Sequence, residues 1–171
     1  MATTTPVSDP TVVHMQVPPT SELTESQQAK PTTSLPYLPS KPARPSPLLK
    51  ESELSSLLQY VSTWSLGKEG DKPALARDYK FAKFKYAVEF VNDMVKIIND
   101  DNHHPVIVLN FREVGVRTLT HVAFHESADG SQIRDQGVTA FDVRLAMRVE
   151  KLYEDYVARG YHFVPKPKAS S

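Results

Sequence analysis

The stretch FKYAVEFVNDMVKIIND, residues 84–100, most constrains what this chain folds into. Phe84, Val88, Val91, Val95 and Ile98 recur at alternating four- and three-residue spacings. A 3.6-residue period places them on one stripe of a helix, widened by Ala87 and Met94. Such a helix needs an apolar surface to lie on, and its flanks supply strand patterns. In ALARDYKFAKF, Leu75, Arg77, Tyr79 and Phe81 alternate with Ala76, Asp78 and Lys80. In VIVLNFREVGVRTLTHVAF a tight turn at Arg112–Glu113 makes Phe111 and Val114 opposite partners. Ile107, Leu109 and Phe111 then share a sheet face with Val114, Val116, Thr118 and Thr120. His121 falls with Gly115, Arg117 and Leu119 on the other face. Val106, Val108 and Leu119 on that outer face are apolar enough to call for a partner subunit.

The remaining segments extend this frame. ESELSSLLQYV sets Leu54, Leu57, Leu58 and Val61 on one face of a short helix. WSLGKE reads as a strand and GKEGDKP, residues 67–73, as a turn. ESADGSQIRDQG, residues 126–137, is polar and loop-like. The last helix, TAFDVRLAMRVEKLYEDYVARG, carries Val149, Leu152, Tyr153 and Tyr156 as its stripe. Thr139 is its N-cap, Asp142 stands three residues on, and Gly160 is the stop. The order helix, strand, strand, helix, strand, strand, helix implies an α+β domain: a four-stranded antiparallel sheet with three helices packed on one face.

Composition divides the chain. Ten of the 14 prolines lie in residues 1–47, a Pro/Ser/Thr-rich stretch unable to bury enough apolar surface to offset chain entropy. The expected organisation is a disordered tail over 1–47, one domain over 48–160 and a flexible tail over 161–171. PYLPSKPARPSP in the first tail has the composition of a polyproline ligand for a protein partner, although a solvated tail is the simpler reading. Charge is balanced in both parts, three of each sign in 1–47 and 17 of each in 48–171, so direct nucleic-acid binding lacks an electrostatic footprint. With no cysteine, thiolate catalysis and zinc–cysteine sites are excluded. No run approaches the roughly 18 apolar residues of a membrane helix, and the first 30 residues lack a secretory or mitochondrial pattern. The expected setting is the cytoplasm, with the nucleus as a second one.

Chemistry concentrates in NDDNHHPVIVLNF, where His103 and His104 are pinned by Pro105, with His121 a hairpin later and Asp142 beyond. Imidazole gives or takes a proton near neutral pH. Two rings beside one substrate can run a dehydration, one protonating the leaving hydroxyl and the other removing a proton from the neighbouring atom. The competing readings are a polar corner for the histidine pair and a capping-box carboxylate for Asp142. A metal set of His103, His104, His121 and His125 is disfavoured, because adjacent residues seldom both reach one ion. No phosphate loop, G-x-S-x-G or H-E-x-x-H occurs.

These residues resemble the pterin-4a-carbinolamine dehydratase family, whose members are also known as dimerisation cofactors of a homeodomain transcription factor. The likeness rests on FAKFKYAVEFVNDMV, HHP, Phe111 six residues after Pro105, His121 ten residues after Phe111, and GVTAFDVRLA. It spans about residues 50–157. The resemblance implies a homodimer or homotetramer. It also implies loss of water from 4a-hydroxytetrahydrobiopterin to give quinonoid dihydropterin, without metal or cofactor, in tetrahydrobiopterin recycling. His103, His104 and His121 become the acid–base and pterin-binding residues, and Pro105 and Phe111 line the substrate. Asp142 becomes the supporting carboxylate by its local sequence, with Asp135 the alternative by spacing. The link between His121 and the last helix is longer than usual, which leaves room for an extended hairpin beside the site, with His125 on it. The rival expectation is a binding module on the same scaffold, stabilising a partner's dimer or aiding its assembly.

Overall fold

The computed structural model describes residues 38–165. Its elements are β1 (Ser46–Pro47), α1 (Glu51–Leu58) with a 3-10 turn at Gln59–Val61, β2 (Ser65–Glu69), β3 (Lys72–Lys80) and α2 (Phe84–Asp101). They continue as β4 (Val106–Asn110), β5 (Glu113–Thr118), β6 (Thr120–Glu126), β7 (Gln132–Gly137) and α3 (Ala140–Ala158). The expected α+β frame is present: strands in the order β2-β3-β5-β4 form an antiparallel sheet with the three helices packed on one face.

One hairpin of that sheet is tighter than the sequence implies and the other is shifted. Glu69 pairs with Lys72, so the turn is only Gly70–Asp71, with Gly70 at φ +62° where a side chain would be strained. Asn110 pairs with Glu113, which puts the second turn at Phe111–Arg112 rather than Arg112–Glu113. The pairing is thus shifted by two residues from the expected one. An even shift keeps every side chain on its face. Ile107 still meets the core side opposite Val116, and Leu109 lies opposite Val114. Phe111 leaves the sheet altogether. It has φ +49° and stacks on Phe84 at 6.2 Å, largely exposed.

A second, three-stranded sheet, β1-β6-β7, was not expected. It exists because β5 runs into β6 through a bend at Leu119. Thr118, Leu119 and Thr120 are buried in succession, so strand alternation fails there and Leu119 is inside rather than on the outer face. Val106 and Val108 are exposed as expected. The polar 126–137 segment is mostly strand: β7 pairs antiparallel with β6, from Glu126↔Gln132 through Ala123↔Asp135. With both faces largely polar and exposed, it carries no two-residue hydrophobic alternation to betray it. The alternative, an extended hairpin, is what forms.

The buried face of α2 is Ala87, Phe90, Met94 and Ile98. It is turned roughly a quarter turn from the expected stripe, leaving Phe84 and Val95 exposed. An apolar arc this wide does not by itself say which part packs.

The boundaries also move. The disordered tail expected over 1–47 lies outside the described residues up to 37, but 38–47 belong to the folded unit. Ser46 and Pro47 pair in parallel with Ala123 and Phe124, and Ser46 is buried. At the other end, Tyr161–Phe163, expected in a flexible tail, pack against the domain. Tyr161 stacks on Tyr86 at 3.8 Å, and Phe81 bridges His162. Residues 166–171 of that tail lie outside the described residues.

A polar centre lies within the core around Glu150. Glu150, buried on α3, accepts hydrogen bonds from the Trp64 indole (3.0 Å) and the Tyr79 hydroxyl (2.7 Å), with Arg77 Nε 3.7 Å away. Burial first, then the Glu150 charge, pushes the Tyr79 hydroxyl well above the usual phenol range and keeps it a donor. Glu150→Ala strands both donors and the guanidinium, and is expected to cost about 3 kcal/mol or more. Urea unfolding of the variant checks this; a loss comparable to a surface substitution contradicts it.

Candidate active site

The site grows from the end of α2. That helix stops at Asp101 because Asn102 takes the left-handed conformation, φ +49° and ψ +45°. Asparagine is among the few non-glycine residues that adopt it at small cost. The Asn102 amide then donates to Asn99 O and the His103 amide to Ile98 O, both at 3.2 Å. This pair of bonds is a Schellman closure, which satisfies the last helical carbonyls. Its consequence is that His103 occupies a fixed place immediately after the helix, and Pro105 leads directly into β4.

His103 is buried, and its Nε2 lies 2.7 Å from Asp142 Oδ1. Asp142 comes from the first turn of α3, where Thr139 is the N-cap and the two form a capping box. Its Oδ2 accepts the Thr139 amide at 2.8 Å. The bend after β5 supplies the remaining donors. Thr118 ends β5 and Thr120 begins β6, so the bend between them turns both hydroxyls toward the same carboxylate. The Thr118 hydroxyl donates to Oδ1 at 2.7 Å and the Thr120 hydroxyl to Oδ2 at 2.9 Å. Asp142 therefore receives two donors on each oxygen, a full set for an ionised carboxylate. Since Thr118 spends its proton on Oδ1, the His103 ring must donate from Nε2. This tautomer leaves Nδ1 as the basic nitrogen.

The other two histidines flank the end of the larger sheet where β4 begins and β5 ends. Val106 pairs with Arg117. His104 stands just before β4, and His121 follows Thr120 in β6, past the bend at Leu119. Both are exposed. His121 lines a shallow cleft of about 300 Å³ with Lys72, Arg134, Asp135 and Gln136, so the β6–β7 hairpin forms a wall beside it. The two candidate carboxylates are separated by this arrangement. Asp142 holds His103. Asp135 stands in the His121 cleft, paired with Lys72 at 3.1 Å and 3.8 Å from His125 Nδ1. The Gln136 amide and Lys72 hold its carboxyl below the usual range. Pro105 is at the corner. Phe111 is not: β4 lies between, and five strand residues span roughly 15 Å. Among the described residues no group of three or more His, Cys, Asp or Glu is placed to hold a metal ion.

The model of the family described as pterin 4 alpha carbinolamine dehydratase matches residues 47–152. The chain belongs to that family. Two relatives carry the printed name "Putative pterin-4-alpha-carbinolamine dehydratase". One, from Xanthomonas campestris pv. campestris (strain B100), is 33% identical over 99 residues, covering 54% of this chain and 82% of its own. The other, from Thermomicrobium roseum, is 31% identical over 104 residues, covering 61% of this chain and 95% of its own. A solved structure described as a transcriptional coactivator/pterin dehydratase from Brucella melitensis aligns at 25% identity with a TM-score of 0.49, covering 61% of this chain and 97% of that one.

Within this dehydratase-family domain, the sequence pointed to His103, His104, His121 and Asp142. It missed Thr118, Thr120 and Asn102. The two threonines flank Leu119 immediately before His121, and that spacing is the signal that finds them. Asp142→Ala leaves the His103 ring, two hydroxyls and an amide without an acceptor, and is expected to cost about 3 kcal/mol or more. Asp135→Asn leaves the unfolding midpoint unchanged within error. Denaturation of the two variants side by side checks the distinction, and equal losses contradict it.

Proposed function

We propose that the protein is a dehydratase that removes water from 4a-hydroxytetrahydrobiopterin, giving the quinonoid dihydropterin of tetrahydrobiopterin recycling. The observation that carries this reading is the His103 imidazole locked by the buried Asp142 carboxylate, with two further imidazoles, His104 and His121, exposed to solvent. The step has no net redox change. The hydroxyl on the 4a carbon takes a proton and leaves as water, and the adjacent ring nitrogen gives up its proton. One imidazolium and one neutral imidazole perform these transfers, each worth about 10²–10⁴ in rate. No metal or cofactor is required, because the carbinolamine is already activated. His104 and His121 are the exposed candidates for direct transfer. His103, oriented by Asp142, presents Nδ1 to the corner.

The family membership supports the pterin as substrate, and the geometry supports the proton chemistry. The test is the dehydration rate of freshly generated 4a-hydroxytetrahydropterin with wild type, His104→Ala and His121→Ala. Each folded variant is expected to lose about 10²-fold of the acceleration. A wild type no faster than the uncatalysed reaction overturns the reading and returns the scaffold to a binding role.

We also propose a homo-oligomer, dimer or tetramer. β4 is an edge strand of the larger sheet, and Val106 and Val108 on it are exposed, as are Phe84 and Val95 on α2. Light scattering should give a multiple of the monomer mass that falls in Val108→Glu. A monomeric wild type contradicts this.

A further inference from the structure

The C-terminus of α2 is electrostatically wrong by itself. Its last turn contains Asp100 and Asp101 and no basic residue, although the carbonyl end of a helix favours cations. The cations come from elsewhere. Arg144 and Arg148 of α3 reach Asp101 Oδ1 at 3.1 and 2.8 Å, and Arg148 also reaches Asp100 at 2.6 Å. These neutralise the carboxylates. The backbone carbonyls are served by the segment that precedes β1. Lys41 Nζ donates to Asp100 O at 2.8 Å, and Arg44 Nη2 donates to Asn102 O at 2.7 Å.

Arg44 has a second contact at the same place. Its guanidinium lies 4.2 Å from the centre of the Phe141 ring, and Phe141 packs against the His103 ring at 5.7 Å. The segment is anchored on both sides. Arg144 donates to Pro39 O at its start, and Leu48 and Leu49 amides bond Phe124 O and Val138 O at its end. The family match begins at residue 47, so Lys41 and Arg44 lie outside it.

We propose that Lys41 and Arg44 are positioning residues for the histidine corner. They form a cap, delivered from outside the family domain, that fixes the left-handed turn at Asn102 and the Phe141 ring. His103 and His104 leave the helix from that turn, so its rigidity sets where their nitrogens stand. The activity arm of the test rests on the dehydratase reading; the other arms do not.

The test uses the full-length chain as wild type, Arg44→Ala, Arg44→Lys and Lys41→Ala. Hydrogen exchange at the Asn102 and His103 amides and the ring resonances of His103 and His104 are followed by NMR. In Arg44→Ala the hydrogen-bonded Asn102 and His103 amides should exchange about tenfold faster while the mid-helix amides of Val91–Met94 stay unchanged. The His103 and His104 ring resonances should move and those of His125 should not. Dehydration should lose about tenfold or more in kcat with KM within about twofold, since a small displacement of a proton donor is costly. Lys41→Ala should show the same pattern more weakly, and Arg44→Lys should recover most of the loss. Unchanged exchange at Asn102 and His103, or exchange rising equally along all of α2, overturns the proposal and leaves the segment as a tether. If wild type does not accelerate dehydration, the exchange and ring-resonance arms still decide the question.

Discussion

Everything at this site depends on one buried carboxylate. Asp142 sits at the start of α3 with almost no contact with water, and a charge placed there must be fully hydrogen-bonded. Its partners come from three separate parts of the chain: the N-cap of its own helix, the bend between the two sheets, and the residue after α2. Satisfying Asp142 therefore assembles the corner. The helix N-terminus contributes a favourable field for the charge, and the two threonines hold the carboxylate oxygens in place. The histidine is then oriented by a group that cannot itself move. The same residue acts as capping-box member and histidine partner, two roles that appear as alternatives when only the sequence is read.

The bend at Leu119 is the second structural necessity. A strand that continued straight from β5 would keep the alternation of the larger sheet and place Leu119 on its outer face. Bending turns the chain into β6 and buries three successive residues. The β6–β7 hairpin that follows is the long link before the last helix. It brings Arg134, Asp135 and Gln136 beside His121, so the cleft on that side is lined by polar and charged groups.

Much of this was legible in the sequence, for identifiable reasons. α2 and α3 carry long apolar periodicities, and the threonine, aspartate and glycine around α3 mark its ends. The antiparallel sheet follows from alternating strands, and the histidine corner from His103, His104 and Pro105 together. What escaped depends on tertiary context. The packed face of α2 is chosen by Phe90, which the stripe of valines obscured. β7 has no apolar alternation because little of it faces the core. Arg44 and Ser46 lie in a proline-rich stretch whose average composition resembles a solvated tail, yet their individual contacts fold them onto the domain. The Phe111–Arg112 turn was placed one residue late and the Gly70–Asp71 turn drawn too wide, because neither is the favoured Asn-Gly pair.

The central claim is that Asp142 holds His103 with the proton on Nε2. Long-range nitrogen–proton correlation of the histidine rings at neutral pH tests it directly. The account predicts that the wild-type His103 ring is the Nε2–H tautomer, with Nδ1 unprotonated, and that Asp142→Asn abolishes this preference. A wild-type His103 ring protonated at Nδ1, or averaging between tautomers like an exposed histidine, would contradict it.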